Sequence, residues 1–219
     1  MMGASAFRLV AVLGLLVLLG GCFGAYQVSP DNVQTVGGLT PNVEDKDAGL
    51  VAVAPGFTVK AYKVIAVAKF PVTDPALKDD GDRRKAAEIA TILQNELVRR
   101  MRDTGLFARV VNLSETEFRP GPEQTLRLEG VITRLGEGSQ AARAMMGLYG
   151  AGAARAQAEM RFVDVRSQKP VLVTADRRRA SMGAFGGDSK DHWKESVDDM
   201  ARDLGKFLVR LANGQAPTK

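Results

Sequence analysis

One cysteine, one histidine and one tryptophan occur in 219 residues, and aromatic side chains make up only 6% of the chain. A lone cysteine excludes an internal disulfide, and an unpaired thiol is a liability in an oxidising compartment unless some chemistry consumes it. The single histidine, His192, excludes a multi-histidine metal centre, and a Ser-His-Asp triad would have to use it. Neither Gly-x-Ser-x-Gly nor Gly-x-x-x-x-Gly-Lys-Ser/Thr is present, so the nucleophile elbow and the phosphate-cradling loop are both missing. The few aromatics are not interleaved with basic residues as base-stacking platforms require, which argues against nucleic acid as a partner. No catalytic residue, metal ligand set or cofactor is expected from these absences.

The N-terminus is more informative. Met1 to Arg8 carry one positive charge and no acid, and Leu9 to Leu19 then run apolar except at Gly14. That run is about half of the roughly 20 residues a spanning helix needs, so it reads as the core of an export signal rather than a permanent span. It ends in Leu19-Gly20-Gly21-Cys22, which resembles the lipobox of bacterial lipoproteins: an apolar residue, two small residues and the cysteine. The resemblance implies that diacylglycerol alkylates the Cys22 thiol, that the chain is cut between Gly21 and Cys22, and that the new amine is acylated. Two or three acyl chains anchor stably where one is marginal. Phe23 follows the cysteine, whereas Asp there marks inner-membrane retention in enteric-type sorting. The expected location is therefore the outer membrane of a Gram-negative cell, facing the periplasm.

Removing residues 1–21 leaves 198 residues, enough for one domain with its own core. Residues 22–50, rich in Gly, Pro, Asn, Asp and Thr, read as a lipidated flexible tether, residues 51–214 as a single domain, and residues 215–219 as a disordered tail. Residues 50–59 offer a short strand weakened by Pro55-Gly56. The apolar β-branched run from Tyr62 to Phe70 is a stronger strand, closed by Pro71. Asp82 is the expected N-cap of a helix to about Asp103, with Ala86, Ala90, Leu93, Leu97 and Met101 at three- and four-residue spacing and Gly105 as the stop. Strands are expected over 106–113 and 125–135, the latter alternating as if covered on one side only. Residues 153–165 and 171–180 form a hairpin around Ser167-Gln168-Lys169-Pro170. A last helix spans 188–213, its apolar stripe running from Trp193 to Leu211. The expected class is α/β (α+β): a mixed sheet of about five strands packed by two main helices, in the order βαβ-β-β-β-α.

Several segments taken together carry a family resemblance: the strand ending at Phe70, Leu128-Glu129-Gly130-Val131-Ile132-Thr133, Gly147 to Gly152, Phe162-Val163-Asp164, and Gly183-Ala184-Phe185-Gly186-Gly187 before the last helix. In that order they resemble the bacterial lipoproteins grouped as domain of unknown function 4410, over roughly residues 55 to 212. The family brings no reaction or ligand. More remotely, the layout resembles the periplasmic domain of the curli secretion lipoprotein, which implies an alternative role as a subunit of an oligomeric outer-membrane secretion pore or transport complex.

Five further features bear on function. Asp188, Asp191 and His192 could face a cation from one helical turn, but acids at the start of a helix serve as cap and dipole partners. Asp79, Asp80 and Asp82 crowd Gly81 without calcium-loop spacing and read as a solvated turn with an N-cap. Arg177-Arg178-Arg179 on a strand must alternate faces, and reads as protection of a sheet edge rather than an anion site. Trp193 and Phe207 read as core. The small-residue stretch with Met145 and Met146, together with the second glycine-rich segment, is the candidate protein-contact surface: Met146, Gly147, Leu148, Tyr149, Gly150, Gly152, Gly183, Phe185, Gly186 and Gly187. The expected role is a non-enzymatic module for protein interaction or envelope assembly, held to a membrane through Cys22 and contacting a protein partner in the envelope.

Overall fold

Val64, Ile65, Ala66 and Val67 are all buried, as a β-branched run with no polar alternation must be if both faces of its strand are covered. The computed structural model describes residues 25–136, 154–180 and 189–218. In chain order the elements are β1 (Ala25–Val28), β2 (Val43–Asp45), β3 (Gly49–Val53), β4 (Val64–Val67), α1 (Asp80–Asp103), β5 (Arg109–Asn112), β6 (Thr125–Gly136), β7 (Ala154–Asp164), β8 (Lys169–Ala180) and α2 (Ser189–Ala212). The strands form one mixed sheet in the order β2-β3-β8-β7-β6-β4-β5, with β1 pairing β8 beyond the end of β3. β4 is parallel to both β5 and β6, and every other pairing is antiparallel.

The α+β class and the mixed sheet with two helices are as expected from sequence. The strand count is not: eight strands are present among the described residues rather than about five. β1 and β2 lie within residues 22–50, where a flexible tether was expected, and β3 overlaps the short strand expected over residues 50–59. β1 pairs Ala25 through Val28 with Ala180 through Arg177, and β2 and β3 form a hairpin docked on β8. Short strands of three to five residues carry little hydrophobic pattern of their own; pairing with a long neighbour makes them. The expected tail is also held. Lys46 N donates to Thr218 O and Thr218 N to Asp45 Oδ2, at 3.0 and 2.9 Å.

Both helices cover one face of the sheet. α1 buries Ala86, Ile89, Ala90, Leu93, Leu97, Val98 and Met101, and α2 buries Trp193, Val197, Met200, Ala201, Leu204, Phe207 and Leu208 in the same core as Leu126, Leu128, Ala156, Ala158 and Phe162. The N-cap of α1 is Asp79 rather than Asp82: its Oδ1 accepts from Asp82 N at 2.8 Å. Gln94, buried on α1, donates to Val67 O and accepts from Ser114 Oγ, fixing the end of β4. Gly130 is required in β6 because a Cβ there would run into Glu159 O and the Phe70 ring. The second face carries a smaller cluster of Val64, Ala66 and Val111 under Leu113 and Phe118, and the segment between β1 and β2 crosses the face of β6 to β8. That face is therefore partly covered. Among the described residues no helix is long and apolar enough to cross a membrane.

Candidate functional site

Cross-strand register builds the most unusual chemistry of the molecule. At one end of the sheet, β1, β8, β7 and β6 align Tyr26, Arg179, Arg155 and Gly136 in a row across four strands. The next row holds Val28, Arg177, Gln157 and Arg134. Alternation sends these side chains to the face away from the helices, since Ala156 and Ala158 belong to the helix-covered core. Four guanidiniums thus gather within a few strand spacings. A bulge between Ile132 and Arg134 turns Arg134 onto this face while Leu135 stays in the core.

One carboxylate enters the cluster from the segment after β1. Asp31 Oδ1 lies 2.6 Å from Arg177 Nη1, and Asp31 Oδ2 lies 4.0 Å from Arg134 Nη2. Gln157 holds Asp31 by its backbone: the amide donates to Asp31 O at 2.8 Å and accepts from Asp31 N at 2.9 Å. Among the described residues Arg155 forms no ion pair, and the Nε atoms of Arg155 and Arg177 are shielded from solvent without a hydrogen-bond partner. Burial, followed by the charges of Arg179 and Arg177, pulls the Arg155 pKa down, with Asp31 only partly opposing them.

Arg178, between Arg177 and Arg179, faces the helices instead. It binds Asp176 at 2.7 Å and Asp203 of α2 at 3.0 Å, and donates to Asp47 O. Burial works against its charge, but the carboxylates of Asp176, Asp203 and Asp199 together outweigh that and raise its pKa. The three arginines alternate faces as expected. The edge-protection reading is corrected, because β8 is an interior strand paired by β7 on one side and by β1 and β3 on the other.

Gly21, Cys22 and the expected contact residues Met146, Gly147, Leu148, Tyr149, Gly150, Gly152, Gly183, Phe185, Gly186 and Gly187 lie outside the described residues, as does Asp188. The strand ends flanking the two glycine-rich segments are described: Ala154 pairs with Ala180, and Arg155 with Gly136. Both segments therefore leave from the same end of the sheet, beside the arginine rows. Asp191 ion-pairs with Lys194 at 3.7 Å, and no group of three or more His, Cys, Asp or Glu among the described residues is arranged to hold a metal. Trp193 and Phe207 are fully buried core. Sequence reading missed the joining of Arg134, Arg155, Arg177 and Arg179, although the triplet at 177–179 was its one visible sign.

The molecule is defined as a mixed α+β layer protein with a cluster of arginines at one end of the sheet, on the face away from the helices. The chain belongs to the family described as domain of unknown function (DUF4410), whose model matches residues 56–185. All four arginines fall inside that range, whereas Tyr26 and Asp31 precede it. No curated protein matches the chain. Among solved structures it is similar to a PelC dodecamer from Paraburkholderia phytofirmans, at 10% identity and a TM-score of 0.43, covering 70% of this chain and 94% of that one. It is also similar to a DUF330 protein from Xanthomonas campestris, at 13% identity and a TM-score of 0.49, covering 81% and 97%.

Proposed function

We propose that this chain is a lipid-anchored protein of the bacterial outer membrane, periplasm-facing, acting through contacts rather than catalysis. The observation that carries the reading is the apolar run of Leu9 to Leu19 leading into Leu19-Gly20-Gly21-Cys22, with Cys22 the only cysteine. The fold adds support. Cys22 is three residues from Ala25, a reach of about 10 Å at full extension, and Ala25 is paired to Ala180 in the sheet. An anchor on Cys22 therefore holds the end of the sheet against the membrane surface, not at the far end of a long tether. The strand ends that flank the two glycine-rich segments lie at this same end of the sheet, the side a partner in the same membrane would contact.

Replacing Cys22 by Ser tests the anchor. The variant is expected to accumulate as an uncleaved or mis-sorted precursor and to lose metabolic labelling by fatty acid. Unchanged labelling refutes the reading.

A further inference from the structure

We propose that Arg134, Arg155, Arg177 and Arg179 form a binding site for the phosphate of an anionic membrane-lipid head group. The choice of a lipid as the source of the phosphate rests on the anchored reading above; the anion site itself rests on the geometry of the sheet.

Arginines placed directly opposite each other on neighbouring strands repel, and such like-charge pairs destabilise a sheet. Arg155 and Arg179 are opposed in this way, with Arg177 one row further along. Exposed arginines would relieve the repulsion by turning into water. These are half-buried, and the Arg177 side chain is only 11% exposed. Asp31 ion-pairs with Arg177 and Arg134, and against Arg155 its charge only partly opposes those of Arg179 and Arg177. Asp31 is pinned by its backbone to Gln157 and draws Arg177 towards it. Arg155 is left without an ion pair among the described residues, its Nε shielded and unpartnered. An oxyanion with several acceptor atoms answers that arrangement. The planar guanidinium fork matches a phosphate by paired hydrogen bonds, and such charge-assisted bonds are strong where water is thin.

The location selects among phosphates. Tyr26, next to Arg179 in the row, is 49% exposed, and its apolar ring with a polar tip suits the interface between head groups and water. It lies four residues from Cys22. At the far end of the same row stands Gly136, where a side chain would meet no other described residue within 4 Å.

The test uses the full chain purified in non-ionic maltoside micelles, with its intact mass read first. The melting temperature is then compared in plain micelles, in micelles doped with phosphatidylglycerol, with inorganic pyrophosphate, and with sodium chloride at matched ionic strength. Doped micelles are expected to raise it by about 5 °C or more at a hundredfold excess over the dissociation constant. Arg155→Gln is expected to weaken lipid binding about tenfold or more. Arg134→Gln, at a side chain 42% exposed, serves if the Arg155 variant does not fold. Asp31→Asn keeps the backbone clamp, removes the competing carboxylate and is expected to tighten binding. No shift with the lipid, an equal shift with chloride, or full retention of the shift in both arginine variants overturns the proposal. A shift with pyrophosphate but none with phosphatidylglycerol overturns the lipid as source. If the intact mass lacks acyl chains while the lipid still binds through Arg155, the site stands and the anchor reading falls.

Discussion

Arg210 on α2 places Nη2 2.6 Å from Asp45 Oδ1, with the Asp45 side chain fully buried. The same guanidinium reaches Asp47 through Nε at 2.9 Å and Thr218 Oγ1 through Nη1 at 2.8 Å. One side chain thus ties the β2–β3 turn, the last helix and the C-terminal residues together. Removing one partner of a buried pair strands the other charge, so Arg210→Ala is expected to cost about 3 kcal/mol or more and to release residues 215–218. Urea unfolding gives the first quantity and limited proteolysis the second; a loss under about 1 kcal/mol contradicts the account.

Asp45 also sets an acid limit. Burial works to raise its pKa, but the bonds from Arg210, Thr218 and the Asp47 amide together outweigh it, and the value ends below the ordinary 3.8. The sign follows: the folded chain holds the proton less tightly than the unfolded chain, so the stabilisation is complete above 3.8 and is lost as pH falls through the lower folded value. Melting temperature followed downwards from pH 6 is expected to fall less steeply for Asp45→Asn than for the wild type. Parallel curves refute the assignment.

At the alkaline end Tyr62 is the marker. Burial first, and then the hydrogen bond from its hydroxyl to Asp164 at 2.9 Å, push its pKa from 10.0 up to about 12. Its contribution is complete below 10.0 and fades as pH climbs towards about 12. Absorbance titration of the folded protein should show one phenol ionising in that last interval, and Tyr62→Phe should remove it.

Gly130→Ala sets a Cβ against Glu159 O and the Phe70 ring in the middle of β6. Overpacking between a strand and its neighbour is expected to cost about 1–3 kcal/mol. Trp193→Ala, which empties a fully buried site in α2, is expected to cost about 3–5 kcal/mol. Denaturant midpoints of both variants measure the difference, and a neutral Gly130→Ala would mean that β7 yields at that point.

Phe23 governs the location. Phe23→Asp is expected to move the protein from outer-membrane to inner-membrane fractions in a cell with enteric-type sorting. Wild-type protein found mainly with inner-membrane markers would refute the outer-membrane reading directly.

By itself the sequence determined the features whose signals are local: the signal-like run before Cys22, the helix through Ala86 to Met101, the β7–β8 hairpin and the burial of Trp193. Each follows from spacing within a single element, because side-chain direction repeats every two residues in a strand and every 3.6 in a helix. Tertiary structure alone decided what depends on pairing between distant segments. Residues 25–45 show no strand period, yet they supply β1 and β2 once β8 and β3 present free edges to them. Arg177-Arg178-Arg179 looked like an edge because sequence shows a strand but not its neighbours; with β1 on one side and β7 on the other, the triplet divides into Arg178 against Asp176 and Asp203, and Arg177 and Arg179 beside Arg155. Register brings Arg134, Arg155, Arg177 and Arg179 to one face, and register is fixed by contacts made across tens of residues of chain, which no local pattern carries.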